Sequence, residues 1–174
     1  HGESPLHMNV FLRTVPWWRR FRARWTSMEF PNREEHLEQI LYELILIPST
    51  YFFDDLALVH AAAFGWEGHG VLLTGTGGTG KTSALLGLRH EQSMRFITDD
   101  IAVVSDSGLL YPNLAWPKIY GYNLAQSVPK NEILQGRSLI DKFHFNFRNR
   151  IDPCRVRRKI RPEKLCCAVQ EKAI

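Results

Sequence analysis

The sequence predicts an α/β fold in which a mixed sheet surrounds a phosphate-binding loop and its helix. Three observations predict it. Gly75-Thr76-Gly77-Gly78-Thr79-Gly80-Lys81-Thr82 satisfies G-x-x-x-x-G-K-[ST] at every fixed position. Residues 70–74 before it form a short apolar run with a β-branched residue, which reads as a buried strand. Residues 83–89 after it read as a helix of about two turns, with Leu85 and Leu88 on one face.

These residue types suit a phosphate cradle. Phosphate oxygens need several backbone N–H donors converging on one spot. Gly75, Gly77, Gly78 and Gly80 let the backbone curl into that shape without Cβ clashes. The helix N-terminus that follows adds N–H groups and the positive end of a dipole. Lys81 is expected at the β- and γ-phosphates of ATP, and the Thr82 hydroxyl on Mg²⁺. The alternative is a Gly/Thr-rich loop that fits by chance, and the flanking strand and helix argue against it.

A chain of 174 residues holds one domain with a sizeable core, or a core plus a small appendage. Residues 1–50 read as an aromatic and basic segment followed by an amphipathic helix. Residues 51–174 read as the phosphate-loop core, with truncation allowed for. The chain begins with His1 rather than Met, which suggests a trimmed start or a fragment. Hydrophobic and charged contents of 44% and 23% place it among soluble globular proteins. No apolar run is long enough to span a membrane, and the N-terminus does not read as a secretory leader. Cys154, Cys166 and Cys167 are odd in number and two are adjacent. That is a poor disulfide framework and a poor zinc site, so reduced cysteines in a cytoplasmic protein are expected. A net charge of +4 is mild, and nucleotide binding alone accounts for it.

Along the chain, residues 15–25 interleave aromatics with arginines. The favoured reading packs the tryptophans on the core and leaves the arginines solvated. The other is a patch that seeks phosphate or an interface, and no nucleic-acid motif accompanies it. Asn32 and Glu35 resemble a helix-capping pair. Leu37, Ile40, Leu41, Leu44 and Ile45 then recur at helical spacing, which predicts an amphipathic helix packed on a core and ended by Pro48. Residues 56–64 read as a strand that brings His60 near the phosphate loop, although a histidine in an apolar strand is usually a hydrogen-bonded core residue. Residues 94–98 read as a strand ending in Asp99-Asp100, at the strand end where α/β sheets bind ligands. One carboxylate can hold Mg²⁺ and the other can accept a proton from an attacking hydroxyl. Residues 101–112 read as a β-hairpin turning at 106–108. Beyond it, 114–120 suggest a strand, 123–134 a helix broken at Pro129, and 165–169 a final strand. Residues 138–153 show no clean period, and the basic run 154–161 reads as a solvated edge.

Residues 56–120 resemble the catalytic domain of the HPr serine kinase/phosphorylases and their HPr-kinase-related relatives. Four features carry the likeness: Val59-His60-Ala61, Gly70-Val71-Leu72-Leu73-Thr74-Gly75, the loop with Lys81, and Thr98-Asp99-Asp100-Ile101 a short helix and strand later. The resemblance implies a P-loop kinase core of the HPr kinase and phosphoenolpyruvate carboxykinase type. It implies ATP and Mg²⁺ as cofactors and transfer of the γ-phosphoryl group to a serine hydroxyl of a protein or peptide. It also allows a homo-oligomer. Carried over residue by residue, Gly75, Thr76, Gly77, Gly78, Thr79, Gly80, Lys81, Thr82 and Ser83 bind the nucleotide. Asp99 is the general base, with Lys81 and His60 also catalytic, and Thr82 and Asp100 bind the metal. The family's later glycine-rich signature is not found after Trp116, and Ala61-Ala62-Ala63 follow the histidine where true members usually have glycine. The expected acceptor is therefore another protein or peptide rather than HPr. The alternatives are a shikimate-type small-molecule kinase and a non-catalytic ATP-binding regulatory module; nucleic acid is not an expected partner.

Overall fold

The computed structural model describes residues 16–19, 29–30, 33–50, 52–113, 115–125, 128–166 and 168–174. The Asn32 cap and most of the Trp/Arg-rich segment lie outside them. In chain order the elements are α1 (Arg33–Thr50), β1 (Leu56–Trp66), β2 (His69–Thr74), α2 (Lys81–Gly87), β3 (Met94–Thr98), β4 (Ile101–Ser105), β5 (Leu110–Tyr111), β6 (Lys118–Tyr120), a 3₁₀ turn (Gly121–Ala125), α3 (Lys130–Leu134), α4 (Leu139–Ile151), β7 (Arg157–Lys159) and α5 (Pro162–Leu165). The architecture is mixed α/β around an antiparallel sheet.

The spine is β1, whose second half, Ala61–Phe64, is an apolar run buried in mid-sheet. β2 pairs along one edge, from Ala61↔Thr74 to Trp66↔His69. Along the other edge β4 pairs with the first half of β1 and β3 with the second. All of these pairings are antiparallel; β2 and β3 therefore point the same way, separated by β1. The expected β4–β5 hairpin forms, with Val103 opposite Tyr111 and Val104 opposite Leu110. A second, two-stranded ribbon pairs β6 with β7, Lys118 opposite Lys159 and Tyr120 opposite Arg157. One isolated parallel bridge, Phe96↔Val169, joins β3 to the C-terminal stretch.

Strand alternation distributes side chains between two clusters. Phe64, Phe96, Leu85, Leu86, Ile119 and Phe145 belong to the main core, with Ile133 and Val156. Ala61, Ala63, Ile97, Ala102 and Leu110 form a smaller cluster. Phe96 is fully buried in mid-sheet. Phe96→Ala is expected to cost about 3–5 kcal/mol through lost burial and the cavity left behind. A urea titration checks this, and a loss under about 1 kcal/mol would mean that the site collapses freely.

Several expectations are corrected. The α1 stripe of Leu37, Ile40, Leu44 and Ile45 is largely exposed, whereas Gln39 is buried. Polar anchoring turns the helix this way: the Trp116 amide donates to Gln39 Oε1, the Tyr42 hydroxyl to Asn113, and Lys159 and Arg161 pair with Glu43 and Glu35. Pro48 does not end α1, which runs to Thr50. A proline in the last turn forfeits one hydrogen bond, too little to stop two further residues. Trp17 and Trp18 are 80% and 51% exposed instead of packed. The strand expected over 114–120 shrinks to β6; the helix expected over 123–134 is broken at Pro129 as read, its second part being α3 and its first part a 3₁₀ turn. Residues 139–151, which lacked a clean period, are helix α4, started by Ser138 accepting from the Asp141 amide. The basic run is solvated only in part: Arg155 and Arg161 are exposed, whereas Arg158 and Lys159 are buried on β7. Of the expected final strand over 165–169, Leu165 ends α5, which opens on Pro162 at a position that needs no donor, and Val169 makes an isolated β-bridge.

Candidate functional site

The register of the sheet assembles the site. Thr74 ends β2 opposite Ala61, and Thr98 ends β3 opposite Ala63. The two strand exits therefore lie side by side across β1, one leading into the glycine-rich loop and the other into Asp99-Asp100. His60 stands one residue beyond that level, and the Ala61 amide donates to the Asp100 carbonyl at 3.1 Å.

The loop has the shape its glycines permit. Gly75 has φ of 147°, and a Cβ there would lie 2.9 Å from Thr79 Oγ1. Gly80 has φ of 93° and turns the chain directly into α2, where the Ala84 amide donates to its carbonyl at 2.8 Å. Either conformation disfavours a larger residue. Thr79 Oγ1 donates to the Thr76 carbonyl at 2.9 Å and braces the loop. Lys81 Nζ folds back and donates to the carbonyls of Gly75 (2.7 Å) and Thr76 (3.1 Å). Among the described residues Lys81 makes no hydrogen bond or ion pair with either aspartate.

The two aspartates have different surroundings. Asp99 is 8% exposed. Its Oδ2 accepts from the Lys118 amide at 3.1 Å, while Oδ1 is buried with no hydrogen-bond partner among the described residues. Burial pushes the Asp99 carboxyl above its ordinary value, opposed by the nearby Thr82 hydroxyl and the Lys118 amide. The Thr82 hydroxyl therefore lies beside this carboxylate. Asp100 is half-buried and engaged on both oxygens: Lys118 Nζ is 2.6 Å from Oδ2, and His60 Nδ1 is 3.4 Å from Oδ1. Burial pushes the Asp100 carboxyl up, but the Lys118 ammonium and then His60 outweigh it and hold it below its ordinary value.

Sequence reasoning missed two contributors. Lys118 opens β6 and touches both aspartates. Asn123 is fully buried; its Nδ2 donates to Ser83 Oγ at 3.2 Å and its Oδ1 accepts from the Tyr120 amide at 2.9 Å, which ties α2 to the ribbon. Neither sits in a motif, and only the β6–β7 pairing brings them here. Tyr122 stacks on Tyr120 with centroids 5.4 Å apart. Its phenol is raised by burial and then by Tyr120, Cys154 and Asp99.

The residues fit the nucleotide and cation that the motif implies. A Cβ at Gly77, Gly78 or Gly80 would meet nothing within 4 Å, so no other part of the chain fills the space beside these glycines. Asp99, close to Thr82, keeps a buried carboxylate oxygen with no hydrogen-bond partner among the described residues, the donor type that a hard cation takes. No group of three or more His, Cys, Asp or Glu able to hold a metal occurs among the described residues. Nor is any described helix long and apolar enough to cross a membrane. The chain matches no family model, no curated protein and no solved structure.

Proposed function

We propose that this protein is an ATP- and Mg²⁺-dependent kinase that phosphorylates a hydroxyl, with a serine of a protein or peptide as acceptor. One observation carries the proposal. A complete G-x-x-x-x-G-K-T loop lies beside a strand end whose first aspartate is close to the loop's own threonine and keeps one buried oxygen with no hydrogen-bond partner among the described residues. The acceptor class and the kinship with HPr-kinase-related proteins rest on the sequence resemblance.

The residues divide the work as follows. The loop amides and Lys81 take the phosphates, Lys81 exchanging its two carbonyl partners for phosphate oxygens. Thr82 and Asp99 hold the cation. When bound, Mg²⁺ neutralises charge on the phosphates. Asp100, kept ionised by Lys118 and His60, accepts the hydroxyl proton. The hydroxyl oxygen bonds to the terminal phosphorus as the bond to the leaving diphosphate opens, and ADP departs. This exchanges the roles that sequence alone suggested for the two aspartates. The reason is occupancy: Lys118 Nζ and His60 Nδ1 already lie against the two Asp100 oxygens, whereas Asp99 Oδ1 has no hydrogen-bond partner among the described residues.

Calorimetry of ATP binding with and without Mg²⁺, together with label transfer from γ-labelled ATP, tests the division. Asp99→Asn is expected to lose roughly tenfold or more of the Mg²⁺-dependent affinity. Asp100→Asn is expected to keep that affinity within about threefold and to lower transfer by about 10²–10⁴-fold. The reverse pattern would return the base role to Asp99. A wild-type chain that binds no ATP would end the kinase reading.

A further inference from the structure

We infer that Lys118 is a positioning residue of this site: it fixes both aspartates at once and thereby sets which one is free for a cation and which one faces the acceptor. The inference rests on the kinase reading above. Its backbone N–H donates to Asp99 Oδ2 at 3.1 Å, and its ammonium lies 2.6 Å from Asp100 Oδ2. One residue therefore takes one oxygen from each neighbouring carboxylate. The oxygens left over are then distinct, since Asp99 Oδ1 is buried and partnerless and Asp100 Oδ1 faces His60.

Lys118 can do this because the backbone around it is fixed from elsewhere. It is the first residue of β6 and pairs with Lys159 on β7. The Pro117 carbonyl before it accepts from the Ile160 amide at 3.3 Å. The ribbon's other cations have partners of their own, Arg157 with Glu29 at 2.8 Å, Arg158 with Asp141 at 2.5 Å and Lys159 with Glu43 at 3.0 Å. Lys118 alone among these four pairs with an aspartate of the strand end beside the loop. With 30% of its side chain exposed, it retains contact with solvent at the mouth of the site.

A positioned ammonium also excludes a cation from Asp100. A divalent ion bound to Oδ2 would have to displace Lys118 or sit against its like charge. At Asp99 the direct contact is with the neutral backbone amide of Lys118, and the ammonium acts on that carboxylate only through space. Lys118 thus acts through the two carboxylates and needs no contact with substrate.

The test compares Lys118→Met, Lys118→Arg, Asp100→Asn and the Lys118→Met/Asp100→Asn double variant. The probes are Mg·ADP, titrated by calorimetry, and basal hydrolysis of Mg·ATP, in which water replaces the unidentified acceptor. Lys118→Met should lower kcat by about tenfold to a hundredfold, the usual cost of a misplaced reacting group, and keep Mg·ADP affinity within about threefold. Lys118→Arg, which keeps a cation on the carboxylate, should recover much of that loss. The double variant should turn over no more slowly than Asp100→Asn, because a residue acting through Asp100 has nothing further to lose. It also leaves no unpaired charge, so it carries the comparison if Lys118→Met fails to fold. Additive losses in the double variant, or wild-type turnover in Lys118→Met, would overturn the inference while Mg·ADP binding leaves the kinase reading standing. Absence of Mg·ADP binding in the wild-type chain would overturn both.

Discussion

Lys81→Ala is expected to lower the affinity for Mg·ATP by about 10²–10⁴-fold. The ammonium makes two short bonds to the Gly75 and Thr76 carbonyls and can redirect both to phosphate oxygens. Each hydrogen bond between charged groups contributes about 1.5–3 kcal/mol, and two of them give that range in affinity. Folding should be nearly untouched, since the bonds lost are exposed and lie within one loop. Calorimetry for affinity and a thermal melt for stability separate the two effects. Affinity within about threefold of wild type would show that the loop amides bind phosphate without the lysine. Loss of affinity together with a large loss of stability would instead mark Lys81 as a structural residue of the loop.

The parts of the molecule that were legible in the sequence are the local ones. The loop, its strand and helix, His60 on β1 and the aspartates after β3 all lie within a stretch where period, glycine placement and turn residues act over a few positions. The site's remaining members come from afar. Lys118 reaches the aspartates because β6 pairs with β7, some 40 residues on in the chain, and no spacing rule reports that pairing. The helices α1 and α4 were hard to place for a different reason. Hydrophobic periodicity identifies an inward face only when burial is apolar. On α1 the inward contacts run through Gln39, Tyr42 and Glu43. On α4 the buried positions are Asp141 and Phe145, while Leu139, Ile140, Phe143, Phe147 and Ile151 stay exposed. Phe143, Phe145 and Phe147 also alternate with polar residues, which mimics a strand.

The same polar docking yields, at Asp141, an expected effect on stability as large as that of Phe96→Ala. This carboxylate is buried between two guanidiniums. Arg137 Nη1 donates to its Oδ2 at 2.9 Å and Arg158 Nη2 to its Oδ1 at 2.5 Å. Both arginines are almost wholly buried, and burial holds each below its ordinary pKa against the pull of Asp141. Arg137 has further acceptors in the Ile133, Glu29 and Lys159 carbonyls. Arg158 stacks over Phe145 at 4.9 Å, and its Nε has no partner among the described residues. Asp141→Ala would remove the carboxylate that the two buried guanidiniums share. Breaking a buried pair from one side costs about 3–5 kcal/mol, a large share of the roughly 5–15 kcal/mol that holds an ordinary domain together. The urea midpoint should fall accordingly at unchanged slope. Replacing the trio by apolar residues of similar volume should cost far less, since the charges would leave together. A loss below about 1 kcal/mol for Asp141→Ala would mean that water reaches the guanidiniums. The consequence for function follows from position: Asp141 fixes α4 to Arg158 on β7, β7 holds β6, and β6 presents Lys118. Mg·ADP affinity, carried by the loop and Asp99, should therefore persist in Asp141→Ala under conditions where it is still folded, whereas basal ATP turnover should fall as it does in Lys118→Met.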